Sequence, residues 1–298
     1  MNEINYHDSS QAHNPVMTIE ALNFLNTSST GIYIDGTLGA GGHALKVLAN
    51  LSTGRLIGID RDLSALKISN KRLTAHKKIF SSHHISYHDL PQLFKKENIS
   101  TVEGVLLDLG LSSMQLNSNT RGFAFESNGE LDMRFDQTHG KAAHELISVI
   151  SESDLADIIY IFGEERYSRK IARSIKSMDT LKTAADLKEA ICRSTPPHKR
   201  KKTLARVFQA LRIEVNDELK KLKIFLDIFC DYLSIKGRIV IISYHSLEDR
   251  MVKHAFKKLK INGQINILTK KPVIPSANEQ LSNSRSRSAK LRAAEKIG

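Results

Sequence analysis

Short apolar segments alternate with longer stretches of helical periodicity through the first third of the chain. The apolar segments cover residues 31–35, 55–60, 84–89 and 102–109, and each is short enough to form one strand. Parallel strands need long connections, usually helices, so the alternation predicts a parallel sheet with helices packed on its faces. The Val-Leu-Leu run at 105–107 lacks polar alternation, as expected for a strand buried on both faces. We therefore predict a Rossmann-like α/β fold.

A fifth strand is predicted much later in the chain, over residues 238–243. It contains the most continuous β-branched run in the sequence, Ile-Val-Ile-Ile at 239–242. A long amphipathic helix is predicted just before it, over residues 204–233, because apolar residues recur there at three- and four-residue steps. Gly237 suits the turn from this helix into the strand.

The middle of the chain has a different pattern. Residues 113–203 show no convincing strand but several helical patterns, such as those at 153–162 and 184–192. This organisation predicts an all-helical domain, residues 113–203, inserted into a discontinuous sheet domain formed by residues 1–112 and 204–298.

The chain carries a strong positive charge. Its formal net charge is +12 and its isoelectric point is about 9.6. Residues 166–206 hold 13 Lys or Arg against 3 Asp or Glu, and they include a Lys-Arg-Lys-Lys run at 199–202 that follows two prolines. Clustered cations favour a polyanionic partner, for which nucleic acid and acidic membrane are both candidates. A solvated helix face is the alternative interpretation of such a run.

The sequence predicts a soluble, cytoplasmic protein. No stretch approaches the roughly 20 apolar residues that span a bilayer, and residues 1–11 are polar rather than signal-like. Cys192 and Cys230 lack the paired spacing of a zinc site and are too few for a disulfide framework. No cluster of metal ligands stands out, so we assign no metal site, and the sequence leaves any metal requirement open.

A glycine-rich loop with acidic neighbours marks the predicted ligand site. The sequence DGTLGAGGH at residues 35–43 follows the first predicted strand and contains Asp35, Gly39, Gly41 and Gly42. Glycines at this edge let the backbone approach a ligand closely. Asp60 ends the second strand about twenty residues later, where an acid can accept hydrogen bonds from ribose hydroxyls. Loop and acid together favour a cofactor that carries adenosine.

The position of Asp35 decides between two such cofactors. A carboxylate at the entry of the loop repels the pyrophosphate of NAD but tolerates a ligand that carries an ammonium and a sulfonium. We therefore favour S-adenosyl-L-methionine, with a NAD-dependent oxidoreductase as the weaker alternative.

Two further segments should meet at the same edge of the sheet. Asp108 closes the fourth strand and is followed by Leu-Gly-Leu-Ser-Ser, and the Ser-Tyr-His-Ser-Leu-Glu-Asp-Arg stretch at 243–250 follows the fifth. Asp108, Ser112 and His245 are the candidate catalytic residues. Helix capping is the alternative role of Ser112, and a hydrogen-bonded structural histidine is the alternative for His245.

Taken together, the motifs resemble the RsmH (MraW) family of methyltransferases, which modify N4 of a cytidine in the decoding region of bacterial small-subunit (16S) ribosomal RNA. They occur in the family's order across nearly the whole chain. The matching stretches are DGTLGAGGH at 35, GIDRD at 58, DLGLSS at 108, RGFAF at 121, LDMRFD at 131, GEER at 163, FQALRIEVNDEL at 208, ISYHSLEDR at 242 and NSRSRSAKLRAAE at 283.

The resemblance implies a class I S-adenosylmethionine-dependent methyltransferase sheet with an inserted helical substrate-binding domain. It also implies a set of cofactor contacts, which we expect beside Asp35 and Gly39: Gly41, Gly42, His43, Asp60, Leu90, Asp108 and Gln115. The chain departs from the family at Leu90, where an aromatic residue is common, at Tyr244, where Phe is usual, and at Ser284, where Pro is usual. Of the family's His-Pro-Ala-Thr-Arg segment it keeps only Arg206.

The cytosine amine is a poor nucleophile, so we expect acceptors that hold its protons while the methyl group is transferred. These are predicted to be Asp108, backbone carbonyls near Gly110 and Ser112, with His245 positioning the base or relaying a proton. An unpaired or flipped base should be gripped by aromatic or guanidinium planes, for which the candidates are Tyr244, Phe123 and Arg134. The predicted phosphate-binding residues are basic residues of the helical insert and of the tail, including Arg285, Arg287, Lys290 and Arg292, and Arg206 is a further candidate for binding the substrate.

The expected partner is small-subunit ribosomal RNA or the 30S subunit, with no membrane. The sequence leaves the oligomeric state open, a dimer being one possibility. A DNA amino-methyltransferase and a non-catalytic RNA-binding assembly factor are the alternative functions. The intact set of Asp35, the glycine loop, Asp60 and Asp108 argues against the second, because a decayed site loses such residues.

Overall fold

The computed structural model describes residues 15–298, apart from the side chains of Ser113 and Asn117. The polar N-terminal segment, for which we predicted no signal sequence, covers residues 1–11 and lies outside the described residues. The described chain forms a seven-stranded sheet in the order β3-β2-β1-β4-β5-β7-β6, in which the first five strands are parallel and β7 is antiparallel to both neighbours. The strands are β1 (Ile32–Asp35), β2 (Arg55–Asp60), β3 (Phe80–His84), β4 (Val102–Asp108), β5 (Leu233–Ser243), β6 (Ile265–Ile267) and β7 (Lys290–Lys296).

Thirteen α-helices connect and cover these strands within the described residues. They are α1 (Thr18–Leu25), α2 (Gly42–Leu48), α3 (Leu63–Arg72), α4 (Leu90–Glu97), α5 (Ser113–Asn117), α6 (Ala143–Val149), α7 (Glu152–Gly163), α8 (Ser168–Lys176), α9 (Ala184–Ser194), α10 (Arg200–Asn216), α11 (Glu218–Ile228), α12 (Ser246–Ile261) and α13 (Ala277–Ser282). The alternation of strands and helices confirms the predicted α/β class.

The sheet is buried on both faces, which explains why its central strands read as unbroken apolar runs. On one face, β-strand residues such as Ile34 and Val105 pack with α4, α11 and α12. On the other face, Tyr33 and Leu106 pack with α1 and α2. Successive residues of a strand therefore pack into hydrophobic cores on opposite faces of the sheet. Helices on both faces hold the ends of β1, β2 and β4 in place.

The helices between β4 and β5 have a core of their own. Buried residues of α6 to α10 pack together with Phe123, Leu131 and Met133 from the loops that precede them, and the described chain has no strand between β4 and β5. The helical patterns predicted at 153–162 and 184–192 are α7 and α9. The predicted domain boundary at 203 falls inside α10, whose Leu204 and Leu211 belong to this helical core. The division into two domains stays a prediction.

The third strand was predicted in the wrong place. The strand is Phe80–His84, and residues Tyr87–Asp89 of the predicted segment 84–89 form a 3₁₀ turn. β3 lies at the edge of the sheet, pairs only with β2 and keeps its side chains partly exposed. A polar Phe-Ser-Ser-His-His segment is compatible with that position, so apolar patterning did not identify it.

The predicted helix over 204–233 is also wrong in its bounds. It is interrupted at Asp217, which has a φ of 51° and separates α10 from α11, and residues Phe229–Tyr232 form a 3₁₀ turn. β5 begins at Leu233 instead of 238, and its pairing with β4 shifts register between Val102 and Gly104. Gly237 lies in this irregularity, close to the Ser234 carbonyl, and not in a turn from helix to strand. The sequence also gave no sign of β6 and β7.

Gly163 sets how closely α7 approaches α10. A Cβ added there would lie 2.8 Å from the backbone carbonyl oxygen of Arg206, which cannot move like a flexible side chain. We expect Gly163→Ala to lower the free energy of unfolding by about 1–3 kcal/mol, because the helices must separate. The control is Ile161→Ala on the exposed side of α7, which should change it by less than about 1 kcal/mol. Chemical denaturation measures both, and equal effects would contradict the close-packing argument.

Candidate functional site

A cleft opens at the carboxyl ends of the parallel strands, where ligands bind in open α/β folds. It contains about 1190 Å³ of empty space, including its open mouth. Its lining comes from the loop after β1, the ends of β2 and β4, the first turn of α12 and the segment around Arg285. Half of the predicted site residues line it directly, namely Gly39, Gly42, His43, Asp60, Asp108, Ser112, Gln115 and Arg285, whereas Asp35 and Gly41 belong to the same loop without lining the cleft.

The glycine loop follows β1 closely because its backbone adopts conformations that other residues rarely use. Gly39 and Gly41 have φ values of 52° and 76°. The amide of Leu38 donates to the carbonyl of Ile59 at 3.0 Å, which ties the loop to the end of β2. A Cβ at Gly42 would lie 3.2 Å from the ring of Pro15, so the glycine lets this ring approach the start of α2 closely.

Asp60 is held by the loop that it faces. Its Oδ2 accepts the amide of Gly39 at 2.7 Å, and its Oδ1 accepts the amide of Asp62 at 2.8 Å. Burial raises the pKa of Asp60, and these two amides partly offset that effect. Each oxygen has further acceptor capacity, so the carboxylate can be anchored by the protein and still bind hydroxyl groups.

Asp35 is the most strongly perturbed carboxyl of the site. It is 2% exposed and accepts the amide of Thr37 at 3.2 Å. Burial raises its pKa to about 6, with further increases from the negative charges of Asp108 and Asp60, although His43 opposes the shift. The three carboxyls therefore form a concentration of negative charge that the protein leaves incompletely compensated.

Asp108 stands at the end of β4 between two polar side chains. The hydroxyl of Tyr244 donates to its Oδ1 at 2.6 Å, and Nδ1 of His43 lies 3.7 Å from its Oδ2. Its own amide donates to Oγ1 of Thr37 at 2.6 Å, which joins the ends of β1 and β4. Burial raises the pKa of Asp108, and His43, the Tyr244 hydroxyl and Arg285 limit the rise.

His245 is the N-cap of α12 and contacts Glu248, not the open cleft. Its Nδ1 accepts the amide of Glu248 at 3.5 Å, and its Nε2 lies 3.2 Å from Oε1 of the same residue. Glu248 lines the cleft and also accepts the amide of Tyr244 at 2.9 Å. Burial alone would raise the pKa of Glu248, but His245, Arg212 and that amide hold it below its usual value. This geometry favours an orienting role for His245, and its catalytic role stays a prediction.

Ser112 and Gln115 form the capping box of α5. The hydroxyl of Ser112 accepts the amide of Gln115 at 3.3 Å, and Oε1 of Gln115 accepts the amide of Ser112 at 2.9 Å. Nε2 of Gln115 then donates to Asp62 at 2.9 Å, and Asp62 also binds Arg121 at 2.5 Å. Ser112 and Gln115 therefore connect the segment after β4 to Asp62, the N-cap of α3 just after β2.

Several residues predicted to bind substrate lie away from the cleft. Arg134 borders a neighbouring cavity and donates to Asp132 at 2.7 Å, and Arg206 lies 3.4 Å from the buried Glu165. Phe123 is packed on Phe135 inside the helical core. Their substrate contacts stay predictions that this arrangement does not favour.

The basic tail divides into two groups. Arg285 lines the cleft and donates to the carbonyl of Leu111 at 2.6 Å, while Arg287 is exposed. Arg292 lies on β7, is 6% exposed and donates to Asp249 at 2.7 Å, and Lys290 lies 3.6 Å from the same carboxylate. The phosphate contact predicted for Arg292 is therefore wrong, because its guanidinium is buried in an ion pair.

Leu90 is fully buried in the sheet core at the start of α4 and does not line the cleft. Its role as a cofactor contact stays a prediction. Tyr87, three residues earlier, does line the cleft. Sequence reasoning also missed Thr37, Arg61 and Glu248 as lining residues. Thr37 lies inside the glycine motif and could have been identified from it. The position of Arg61 depends on a contact that the sequence does not reveal, because its guanidinium carbon lies 4.8 Å from the centre of the Phe135 ring.

No helix between residues 15 and 298 is both long and apolar enough to cross a bilayer. Within the same residues, no three His, Cys, Asp or Glu side chains are arranged to hold a metal ion.

Comparison with known proteins gave consistent matches. Residues 10–297 match the model of the MraW methylase family. The chain is 45% identical over 292 residues to the ribosomal RNA small subunit methyltransferase H of Thermosipho africanus, covering 96% of this chain and 98% of that protein. It is 43% identical over 294 residues to the protein of the same name from Kosmotoga olearia, with the same coverage. A putative rRNA-methylase structure from Clostridium thermocellum aligns with 94% of this chain and 95% of its own, at 12% identity and a TM-score of 0.45.

The raised pKa of Asp35 predicts a gain in stability when its charge is removed. Its folded pKa of about 6 exceeds the ordinary 3.8, so the folded state binds the extra proton and loses stability as pH rises from about 4 to 6. In the ligand-free protein at pH 7.5, Asp35→Asn should therefore raise the free energy of unfolding by about 1–3 kcal/mol, and by less at pH 5.

Urea unfolding at the two pH values measures this difference. The exposed Asp227→Asn, on α11, is the control and should show no such pH-dependent gain. A loss of stability at pH 7.5 in Asp35→Asn would show that the buried charge is compensated.

Proposed function

Because the chain belongs to the MraW methylase family, we propose that it transfers a methyl group from S-adenosyl-L-methionine to the exocyclic N4 of a cytidine in small-subunit (16S) ribosomal RNA. The observation that carries the proposal is the pair of carboxyls that end β2 and β4, Asp60 and Asp108, which line one cleft together with a glycine-rich loop, while the buried Asp35 at the end of β1 adds its charge behind them. Such a cleft favours a cationic nucleoside and a base that presents an amine. The cytoplasm, where ribosomal subunits are assembled, is the compartment that this function requires.

The residues present fit the methyl donor. S-adenosylmethionine supplies an activated methyl group on a sulfonium and also carries an ammonium. Asp35 is a buried carboxyl whose ionisation is unfavourable in the free protein, so a nearby cation would relieve it. Asp60 is anchored by two amides and keeps acceptor capacity for ribose hydroxyls. Gly39 and Gly42 line the cleft without side chains, so the backbone is accessible there, and Gln115 lines the cleft as well.

The acceptor side of the cleft suits an amine. Asp108 and Glu248 both border the cleft after β4 and β5, and ionised carboxylates can only accept hydrogen bonds. The N4 group of cytosine donates two, whereas the O4 atom of uracil is an acceptor that these groups would repel. We therefore assign to Asp108 the hydrogen bond that holds the amine, with carbonyls near Gly110 and the Ser112 segment completing the pocket.

Access to this cleft requires an unpaired base, because a stacked or paired cytosine presents neither its edge nor its amine to a recessed site. The phosphates around the target then remain at the surface. The positive helical region, including the exposed Lys201 and Lys202 of α10, is the surface that we assign to them. Arg287 in the tail is also exposed and extends this assignment.

The direct test is to map N4-methylcytidine in small-subunit ribosomal RNA from cells with and without this protein. We expect one cytidine in the decoding region to lose the modification. In vitro, labelled donor should transfer methyl to small subunits or their RNA in preference to duplex DNA. Preference for duplex DNA would favour the DNA amino-methyltransferase alternative, and donor binding without transfer to any of the three would favour an assembly factor.

Asp108→Asn should remove most turnover while leaving the fold intact. Asparagine retains the shape of the side chain but loses the charge that stabilises the amine as positive charge develops on it, which we expect to lower kcat at least about 100-fold. Single-turnover methyl transfer measures the effect, with Asp227→Asn as the control of equal charge change. Unchanged single-turnover rates in Asp108→Asn, at saturating donor, would refute the assignment.

The basic helical surface predicts a salt-dependent affinity. Replacing Lys201 and Lys202 by Ala should weaken RNA binding and reduce the slope of log affinity against log salt by about one to two, because fewer counterions are released. Lys77 and Lys78, exposed before β3, provide a control pair with the same loss of charge. Filter binding from 50 to 300 mM salt distinguishes them, and equal slopes for the two pairs would contradict this surface assignment.

A further inference from the structure

Tyr244 makes a contact that neither base stacking nor core packing requires. Its hydroxyl donates to Oδ1 of Asp108 at 2.6 Å, and its amide donates to Oε2 of Glu248 at 2.9 Å. A Cβ at Gly110 would lie 3.1 Å from Cδ2 of the Tyr244 ring, so the ring also lies close against the loop after β4. The side chain is therefore fixed at both ends, between the two carboxyls that border the acceptor side of the cleft.

The hydroxyl occupies only one of the two oxygens of Asp108. Oδ2 faces Nδ1 of His43 at 3.7 Å, beyond ordinary hydrogen-bond distance. The other nitrogen of His43, Nε2, lies 2.9 Å from the carbonyl of Val16, and a carbonyl can only accept, so Nε2 carries the proton. His43 therefore makes no hydrogen bond to Oδ2 in this geometry. Oδ2 is left as the oxygen of Asp108 with capacity to take a proton.

We propose that Tyr244 is a positioning residue, whose hydroxyl binds Oδ1 of Asp108 and so commits Oδ2 to accept the proton that leaves N4. This inference rests on the proposed function. In the step, the C–N bond forms as the methyl carbon leaves sulfur, the N4 proton passes to Oδ2, and the N–H electron pair stays on nitrogen.

The donor role of the hydroxyl agrees with its surroundings. Burial, followed by the charge of Asp108, raises the pKa of Tyr244 well above its ordinary value, so the hydroxyl stays protonated and donates. The hydroxyl in turn favours the ionised form of Asp108, which is the form that can accept a proton. The other titratable or charged groups that act on Asp108 are Asp35 on β1, His43 on α2, Glu248 on α12 and Arg285 in the segment after α13.

Tyr244→Phe tests the inference because it removes the hydroxyl and keeps the ring. Without that donor Asp108 ionises at higher pH, so the acid limb of the profile of kcat/KM should move to higher pH. We expect the midpoint of that limb to rise by about one pH unit, with a corresponding fall in the ratio of kcat/KM at pH 6.0 to that at pH 8.0, since a hydrogen bond to a charged acceptor is a strong one. The control is Tyr33→Phe, which removes a buried hydroxyl that accepts the amide of Ser28 far from the cleft, and it should keep the wild-type ratio.

Each other outcome has a distinct meaning. An unchanged pH profile in Tyr244→Phe, with activity lost only in Tyr244→Leu through a raised KM, would mean that Tyr244 stacks on the base and would overturn the inference. An equal loss at all pH values would mean that the hydroxyl is merely structural and would also overturn it. If the wild-type chain methylates no RNA, the proposed function fails, and the pH dependence of S-adenosylmethionine binding to wild type and Tyr244→Phe then tests the Tyr244–Asp108 link by itself.

Discussion

The negative charge collected at one edge of the sheet governs the rest of the site. Parallel pairing places Asp35 opposite Gly58 and Leu106, so the acids that end β1, β2 and β4 must lie close together. Backbone amides and one hydroxyl donate hydrogen bonds to these acids. His43 limits the rise in the pKa of Asp35 and Asp108, and Arg285 limits that of Asp108. Fixed dipoles compensate a buried carboxylate only in part, which is why the pKa of Asp35 rises to about 6. The free protein is therefore strained electrostatically in the way that a cationic ligand relieves.

The cleft is also held together by contacts between the sheet and the helices inserted before β5. Asp62, whose amide donates to Asp60, binds Arg121 and Gln115 from the segment after β4. Glu164, at the end of α7, accepts the hydroxyl of Ser246 at 2.9 Å and lies 3.3 Å from Arg250, both on α12. The helical region is thereby connected to both ends of the cleft. A substitution at these contacts acts on the site by displacing one wall, even where it touches no ligand.

The sequence predicted most of this edge and less of its surroundings. The glycine loop, Asp60 and Asp108 were predictable because a strand end, a turn and an acid occur together at fixed spacing, and parallel topology then brings them to one place. Partners at long sequence separation were not: Tyr244 was expected to grip the base, and its bond to Asp108 depends on how the loop after β5 packs on Gly110. Arg292 was misassigned because charge alone cannot distinguish an exposed cation from one paired with Asp249. β3 was misplaced because an edge strand needs no apolar face.

The carboxyls of the cleft and the net positive charge of the chain explain how one molecule accommodates both a cationic methyl donor and an anionic RNA. The net charge of +12 attracts a polyanion over a range of about one Debye length, roughly 8–10 Å at physiological salt. Within the cleft four acids, Asp60, Asp108, Glu218 and Glu248, face three arginines, so the balance of charge favours an uncharged base over a phosphate. Arg285 brings positive charge into the cleft itself, because it lines the cleft and limits the rise in the pKa of Asp108. Attraction at the surface and repulsion inside therefore orient the nucleotide before any base-specific contact forms.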